Sequence, residues 1–447
     1  MPKKKTALTI EERLQQALVP AEEQPYEVPE NWVWVRLIGN VNSCLDGYRK
    51  PINSSERAKR VGKVPYYGAT GQVGWIDDYL TNEHLVLLGE DGAPFLDLLK
   101  DKAYIIFGEA WVNNHAHILK SYFGEIGNVF LMHYLNMVDY KDYVKGTTRL
   151  KLTQGSMQLM PFPLPPLSEQ QRIVERIEEL FSKLDEAKER LQEVADSFAV
   201  RKVAILHKAF TGELTQQWRL ENGVSDESWE EKKFDDCIEK MQNGLSKRKG
   251  DEGNNIGVLR LANLGEDDLV LDDLRYILLT EKEEKNYLLS KDDVIMIRVN
   301  GSKDNVARQI VINTDEKLSF CDHIIRIKYN PNIVARYVMY FSKTNAYRKY
   351  VEDNMVSSAG QNTISRKGLA SLVIPLPSIE EQHEIVRLID DLLARERAAQ
   401  QAAEQALASI DLMKKSILAR AFRGELGTNK ASEASALELL KQVLAEN

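Results

Sequence analysis

An internal repeat limits the possible folds of this chain more than any other feature. Residues 164–214 align with residues 376–426 at a constant offset of 212 positions and without a gap, and 18 of the 51 aligned positions are identical. Each copy opens on a proline-rich phrase, PLPPLSEQ or PLPSIEEQ, and closes on AFTGEL or AFRGEL. A duplicated chain predicts a duplicated structure and a function that needs two similar parts.

Each copy carries the apolar spacing of a coiled coil, with steps that alternate between four and three residues. The first copy places at this spacing Ile173, Ile177, Leu180, Leu184, Ala187, Leu191, Val194 and Phe198. The second copy places in the same register Ile385, Ile389, Leu392, Glu396, Ala399, Ala403, Ala406 and Ile410. The sequence therefore predicts two long helices of matching pattern.

Each helix would run for about 42 residues, or roughly 60 Å. Because an apolar seam of this length must be covered, we expect the two helices to lie side by side and antiparallel, with the alanines of the second copy allowing close approach. The alternative is that each helix packs only on its own globule. Ser168 with Gln171 and Ser378 with Glu381 fit capping boxes, and Gly212 and Gly424 are placed to end the helices.

Two strand-rich globules are predicted outside the helices. Both contain an apolar strand that ends in a glycine turn, HLVLLGEDGA at 84–93 and DVIMIRVNGS at 293–302. The expected fold class is α+β, with mixed α/β globules, an antiparallel coiled coil and an internal pseudo-two-fold duplication. The predicted segments are an N-terminal arm with a short helix (1–29), a first globule (30–160), a first spacer helix (161–214), a linker (215–228), a second globule (229–372), a second spacer helix (373–427) and an amphipathic C-terminal tail (428–447).

Composition sets further limits. A chain of 447 residues suggests two to four domains, and no apolar run approaches the roughly 18–20 residues that span a bilayer. The basic N-terminus lacks the apolar stretch of a secretory signal. The widely scattered Cys44, Cys237 and Cys321 predict neither a disulfide framework nor a CxxC metal site, so we expect a cytosolic protein. A net charge of −8 argues against a protein that coats nucleic acid indiscriminately.

Motifs that would indicate catalysis are incomplete. Gly62-Lys63 lacks the earlier glycine of a phosphate-binding loop, and YNPN at 329–332 lacks the second proline and the aromatic residue of the loop with which adenine methyltransferases hold the target amine. His115 and His117 have the spacing of metal ligands, but we expect His115 to pack inward beside its strand. The carboxylates of GEDGAPF at 89–95 are more typical of a turn than of a nuclease. We therefore expect a non-catalytic chain that binds no metal or cofactor itself.

Local basic and polar segments point to DNA instead. Arginine, asparagine and glutamine can pair with base edges in the major groove, while lysine, serine and threonine hold phosphates. In the first globule the candidate DNA contacts are Arg49, Lys50, Arg57, Lys59, Arg60, Tyr66, Tyr67, Thr70, Arg149 and Lys151. In the second they are Lys247, Arg248, Lys249, Arg260, Asn263, Arg298, Asn300, Ser302, Lys303, Ser358, Gln361, Asn362 and Arg366. Any one such segment alone would be interpreted as a solvated loop.

With these features together, the sequence resembles the specificity subunits of Type I restriction–modification systems. The resemblance is carried by the paired PLPPLSEQ and PLPSIEEQ openings, the long helices after them, the AFTGEL and AFRGEL closings, the PENW start and the SAGQNTIS phrase. It covers nearly the whole chain. The first globule departs from it, because it has TTRLKLT where the second has the SAGQ phrase.

The resemblance implies that each globule is a target recognition domain that reads one half of a split, asymmetric DNA site, and that the helices set the unread spacer between the halves. It also implies two modification subunits that use S-adenosylmethionine to methylate adenine at N6. Restriction subunits with ATP- and magnesium-dependent translocase and nuclease activity would join them. The alternatives are a protein scaffold with incidental basic loops, a self-contained nuclease or methyltransferase, and an orphan subunit that redirects a host methyltransferase.

Overall fold

The computed structural model describes residues 9–446, which form two compact units. Unit 1 contains the residues up to Gln192 and those from Glu404 onward, and unit 2 contains Glu193–Ala403. The helices are α1 (Ile10–Ala17), α2 (Ser54–Arg57), α3 (Gly124–Met137), α4 (Gln154–Leu159), α5 (Leu167–Asp196), α6 (Phe198–Phe210), α7 (Gln216–Asn222), α8 (Glu281–Tyr287), α9 (Ala335–Phe341), α10 (Asn345–Asn354), α11 (Arg366–Leu369), α12 (Ile379–Phe422) and α13 (Ala436–Glu446).

The strands fall into two sets, one in each globule. The first globule contains β1 (Val33–Arg36), β2 (Asn42–Cys44), β3 (Val64–Gly68), β4 (Gly71–Ile76), β5 (Thr81–Asn82), β6 (Leu85–Gly89), β7 (Ala103–Ile106), β8 (Glu109–Val112), β9 (Ala116–Ser121), β10 (Val144–Lys145), β11 (Lys151–Leu152) and β12 (Pro161–Leu164). The second contains β13 (Glu230–Lys233), β14 (Ile238–Asn243), β15 (Asn254–Leu259), β16 (Arg275–Leu279), β17 (Val294–Ile297), β18 (Val299–Asn300), β19 (Gln309–Val311), β20 (Leu318–Phe320), β21 (Ile324–Tyr329), β22 (Val356–Ser358), β23 (Gln361–Thr363) and β24 (Val373–Leu376).

The two globules share one topology. A two-stranded antiparallel ribbon frames each, β1 with β12 and β13 with β24. A four-stranded sheet follows in each, in the order β2-β9-β6-β7 and β14-β21-β17-β19. The central strands β6 and β17 are buried along their whole length, as expected for continuous apolar runs. The duplication thus extends from the helices into the globules and confirms the predicted fold class.

A second sheet repeats as well. In the first globule β3 pairs antiparallel with β4 and parallel with β8, and in the second β15 pairs antiparallel with β16 and parallel with β20. The three strands β4-β3-β8 are therefore arranged like β16-β15-β20, and β5 extends the sheet of the first globule. The globules have kept their strand framework while their loops have changed.

The first spacer helix is divided into two parts. α5 ends at Asp196 and α6 begins at Phe198, whereas α12 runs without interruption for 44 residues. Gly212 and Gly424 follow α6 and α12 in the left-handed region, with φ of 81° and 73°. This confirms that the glycines end the helices, because a left-handed residue after the last turn costs little only for glycine.

Each unit pairs a part of the first spacer helix with a part of the second. In unit 1, Lys188 lies 3.3 Å from Asp411 and Lys414 lies 2.6 Å from Asp185, so the residue numbers run in opposite directions. In unit 2, α6 lies along the first part of α12, and the Arg201 guanidinium is 2.6 Å from Glu396. The antiparallel pairing is confirmed, and Glu396, the polar residue in the predicted seam, has a cationic partner there.

The spacer helices also pack on the globules, as the alternative prediction had it, and they do so at their starts. Ile173 and Ile177 lie in the core of the first globule, together with Leu418 and Phe422 from the end of α12. In unit 2 the start of α12 lies in one core with Leu206 from α6. Each globule is therefore packed against the beginning of one spacer helix and the end of the other.

The predicted seam is wrong at two positions. Val194 is 40% exposed and Ala399 is exposed, whereas the seam predicted both as covered. A straight helix drifts by about 20° per heptad from a strict seven-residue repeat, and the break at Ser197 interrupts the register further. Other predicted seam residues are buried or half-buried: Ile173, Ile177, Leu180, Leu184, Leu191, Phe198, Ile385, Ile389, Leu392, Ala403, Ala406 and Ile410.

A buried glutamate marks the start of each spacer helix. Glu169 accepts hydrogen bonds from Thr428 Oγ1 at 2.7 Å and from Arg172 at 3.0 Å. Glu381, its equivalent, accepts hydrogen bonds from Thr215 Oγ1 and from Arg219 Nη1, each at 2.7 Å. In both units, the segment that follows the GEL closing of one spacer helix is thus fixed to the first turn of the other.

The observed starts of the spacer helices differ from the predicted capping boxes. Ser168 lies inside α5, which begins after Pro166, so the capping box of Ser168 with Gln171 is wrong. Ser378 does accept a hydrogen bond from the amide of Glu381 at 3.2 Å, but the Glu381 carboxylate is committed to Thr215 and Arg219.

The predicted linker and terminal segments are ordered parts of the units. Residues 215–228 include α7, and its Arg219 is buried. In unit 1, α1 packs against α13, and residues 1–8 of the predicted N-terminal arm lie outside the described residues. Within residues 9–446, no helix has the length and apolar character required to cross a membrane.

Candidate nucleic-acid interface

The same pair of loops occurs in both globules. A segment that follows the central strand, 89–93 or 298–302, lies beside a short antiparallel hairpin, 144–152 or 356–363. Asp91 is bridged to Lys151 in the first globule, and Asn300 pairs with Asn362 in the second. We call each combination of segment and hairpin a loop pair. The TTRLKLT stretch thus occupies the place of the SAGQNT phrase.

Neutral amides form the loop pair of the second globule. The hairpin turns at Ala359 and Gly360, whose φ angles of 48° and 77° are those of a two-residue left-handed turn. Asn362, which is 7% exposed, donates a hydrogen bond to the carbonyl of Gly301 at 2.9 Å and accepts one from Ser357 at 2.5 Å. Asn362 therefore fixes the two loops together, while Ser358 and Gln361 stay exposed at the turn.

Two predicted arginines line one cavity next to this loop pair. Arg298 and Arg366 surround a space of about 230 Å³ together with Gln242, Asn243 and Ser365. The backbone amide of Arg298 donates to the carbonyl of His323 at 2.8 Å, which fixes its position at the strand end. The Arg366 guanidinium is 2.6 Å from Asp235. This arrangement brings together the predicted residues Arg298, Asn300, Ser302, Ser358, Gln361, Asn362 and Arg366.

Charged side chains form the loop pair of the first globule. Lys151 lies 2.7 Å from Glu90, and Arg149 lies 2.7 Å from Asp91. Asp91 also contacts His115 Nδ1 at 2.6 Å. Burial alone would raise the pKa of Glu90, but hydrogen bonds from Lys151 and Arg49 hold it below its usual value. The carboxylates of the GEDG turn thus bind the basic hairpin.

A buried ionic cluster supports these loops from beneath. His117, which is 1% exposed, binds Asp46 through Nδ1 at 2.7 Å and the Leu152 carbonyl through Nε2 at 2.9 Å. Burial would raise the pKa of Asp46, but His117, the Ile118 amide and Arg49 lower it. Arg49, 3.0 Å from Asp46, also contacts Glu90. Because Arg49 is committed to this cluster, we assign it a structural role in place of the predicted DNA contact.

The two histidines of the HxH pair bind different carboxylates. His115 contacts Asp91 and His117 contacts Asp46. The expectation that His115 packs inward is wrong, because its side chain is 39% exposed and His117 is the buried one. Sγ of Cys44 lies with Asp46 and His117 within 4.8 Å, but both ring nitrogens of His117 are already hydrogen-bonded.

Several of the remaining candidates of the first globule contact aromatic side chains of strands β3 and β8. Arg57 stacks on Tyr66 at 4.9 Å from the ring centre, and Arg60 stacks on Trp111 at 4.6 Å while pairing with Asp77. Tyr66 is 1% exposed, so it too has a structural role rather than the predicted contact. Lys50 lies over Trp111, Tyr67 is half-buried, and Lys59 and Thr70 are exposed.

Several candidates of the second globule are engaged within the protein. Lys247 pairs with Glu283 at 2.7 Å and Arg260 with Asp273 at 2.8 Å. Arg248 is 3.5 Å from Asp322, and Lys303 is 3.6 Å from Glu352. Asn263 is 1% exposed and closes its own turn through the Val270 carbonyl, so we assign it a structural role. Lys249 is exposed.

Comparisons with known proteins agree on one family. The family described as "Type I restriction modification DNA specificity domain" matches residues 29–195 and 226–406. The chain is 33% identical over 331 residues to the Type I restriction enzyme StySPI specificity subunit of Salmonella potsdam, covering 71% of each protein. It is 27% identical over 332 residues to the EcoKI specificity subunit of Escherichia coli strain K12, again covering 71% of each.

Solved structures share the fold. The HsdS subunit from Thermoanaerobacter tengcongensis superposes with a TM-score of 0.57 at 17% identity, over 90% of this chain and 99% of that one. A chain from a study of complex assembly and conformational transition of the Type I restriction–modification system gives a TM-score of 0.59 at 18% identity, over 90% and 100%. The match of the family to most of the chain, in two copies, shows that this protein belongs to the DNA specificity proteins of Type I restriction–modification systems.

Proposed function

We propose that this chain reads a split, asymmetric DNA site, one half with each globule, and so directs adenine-N6 methylation by partner subunits. The observation that carries the proposal is the loop pair, which stands at the same place in both globules but presents charged groups in one and amides in the other. Arginine pairs bidentately with guanine and glutamine with adenine. A duplicated framework with two different surfaces is what two readers of different sequences require.

The spacer helices would set the number of unread base pairs. A helix of 44 residues, such as α12, extends about 66 Å. Two sites read from one face of B-DNA lie about 34–36 Å or a multiple of that distance apart. Paired helices hold such a spacing far more firmly than a flexible loop.

The partners would be two identical modification subunits, which carry S-adenosylmethionine, and restriction subunits, which use ATP and magnesium. The repeated contacts of Glu169 and Glu381 at the helix starts support two similar docking surfaces on one chain. The chain itself would be a non-catalytic subunit without a bound cofactor or metal. We place its action on DNA in the cytoplasm.

Methylation-sensitive sequencing of DNA modified by the assembled complex tests the proposal. We expect one bipartite, asymmetric motif with a fixed spacer. Arg298→Ala or Gln361→Ala should then relax the second globule's half-site only, at a cost of about 1–3 kcal/mol in discrimination. A scaffold with incidental basic loops would give no selected motif, and that outcome would refute the function. An orphan specificity subunit would give such a motif as well and differs from this proposal only in its genomic context.

A further inference from the structure

We infer that Arg149 reads a guanine in the half-site of the first globule, and that Asp91 is the residue that positions it. This inference rests on the proposed function and makes it specific for one base pair. It begins with the place of Arg149, which lies near the tip of the hairpin between β10 and β11 with a side chain that is 59% exposed. Of the other cations nearby, Lys151 of the same hairpin and Arg49 of the buried cluster pair with Glu90, and Lys145 is exposed at the start of the hairpin.

Asp91 holds the guanidinium by one nitrogen. Its Oδ1 lies 2.7 Å from Nη2 of Arg149, and no other carboxylate of the described residues lies within 4.0 Å of that guanidinium. The contact is to a single nitrogen, and Nη2 carries two N–H groups, one on the edge shared with Nη1 and one on the edge shared with Nε. A contact that uses one of them leaves the other edge with its two parallel donors for O6 and N7 of a guanine. Asp91 is in turn fixed by His115, 2.6 Å away, and is 18% exposed.

The backbone of Gly92 supplies a second, independent constraint on the position of the Arg149 guanidinium. Gly92 has a φ of 74°, and a Cβ built on it would lie 3.1 Å from Nη2 and 3.4 Å from Nε of Arg149. The guanidinium therefore lies against the Gly92 backbone, and a Cβ there would displace it by a few tenths of an ångström. Asp91 on one side and the Gly92 backbone beneath restrict the guanidinium before DNA arrives, which reduces the entropy lost on binding.

The second globule shows what the equivalent position looks like without the charge. Asn300 stands where Asp91 stands, and Asn362 stands where Lys151 stands. Its hairpin presents Gln361, whose exposed amide fits adenine rather than guanine. The two loop pairs are thus built alike and differ in the base that their donors can recognise.

The test uses the complex of this chain with its modification subunits and a duplex library in which both half-sites are randomised. Arg149→Ala should lower the preference for one G·C pair in the first half-site by roughly 5- to 150-fold. Arg149→Lys should lower it as well, because lysine lacks the planar fork. Asp91→Asn and Gly92→Ala should weaken the same position. Asp91→Asn should add no further loss in the Arg149→Ala background.

The matched control is Glu23→Gln. It removes an arginine–carboxylate pair of the same 2.7 Å length, with Arg36, in the same unit, and should leave the first half-site unchanged. Loss at every position in equal measure, or an additive loss in the Asp91 and Arg149 double variant, would show that the pair merely stabilises the fold. That result would overturn the inference.

The inference and the proposed function fail differently. If Arg149→Ala leaves the first half-site intact while Gln361→Ala alters the second, the function stands and Arg149 is not the reader. If no library sequence is preferred by the unaltered complex, the function itself fails.

Discussion

Removing Arg219 should destabilise unit 2 strongly, because this side chain neutralises a buried carboxylate. Arg219 is 6% exposed on its side chain and Glu381 is fully buried. Glu381 Oε1 receives hydrogen bonds from Arg219 and Thr215, and Oε2 has no partner within the described structure. Arg219→Ala leaves this carboxylate with the threonine as its one donor.

The magnitude follows from the burial. Breaking a buried ion pair by removing one partner costs about 3–5 kcal/mol. For a unit of this size, residues 193–403, each kcal/mol lowers the melting temperature by about 2–4 °C. Unit 2 should therefore melt roughly 6–20 °C lower. The double variant Arg219→Met with Glu381→Gln should lose less, because no buried charge is left unpaired.

Hydrogen exchange followed by mass spectrometry during thermal unfolding provides the assay, since it reports each unit separately. Peptides from unit 2 should lose protection at lower temperature, and peptides from unit 1 should not change. Arg387→Ala, which removes the 63% exposed partner of a 2.7 Å pair with Glu384 on the same helix, is the control and should leave both units unaffected. A similar small effect for Arg219→Ala would refute the reasoning.

Two further predictions concern pH and salt. A hydrogen bond from His133 lowers the pKa of Glu178 below 4.5. The stability that this bond gives unit 1 is therefore present above that pH and is lost as the pH falls further. Glu178→Gln should make the melting temperature of unit 1 depend less on pH between pH 5 and 3, and an unchanged slope would contradict this. Lys249→Ala should weaken binding to all duplexes alike and reduce the slope of log affinity against log salt by about 1, as measured by fluorescence anisotropy, whereas loss confined to one sequence would assign Lys249 to base reading.

The duplication and the helix ends could be predicted because local patterns determine them. Apolar spacing, glycine after the last turn and strand runs are visible in short stretches of sequence. The break at Ser197 was not visible. Ser409, its equivalent, lies inside an unbroken helix, so the residue type does not decide it. Arg201, which contacts Ser197, the Val194 carbonyl and Glu396, is replaced by Met413 in the second copy, and that contact is tertiary.

The loop pairs also depend on tertiary contacts that the sequence does not reveal. Basic residues at 145–151 were recognisable as a candidate site, but their partners Glu90 and Asp91 lie about sixty positions earlier and were interpreted as a turn. Only the pairing of strands brings them together. Tyr66 and Asn263 were predicted as DNA contacts but are buried. Residue type alone cannot distinguish a tyrosine or asparagine that faces DNA from one that is buried in the protein.

Heptad insertion tests most directly the claim that paired helices separate two readers. Lys188 faces Asp411 in unit 1, so seven residues inserted after Ala187 and seven after Asp411 keep the pairing and add about 10 Å. Three heptads on each side add roughly 32 Å, close to one turn of B-DNA at 34–36 Å. Sequencing of methylated sites should then show both half-sites unchanged and a spacer longer by about nine base pairs. A motif with its original spacer would contradict the account.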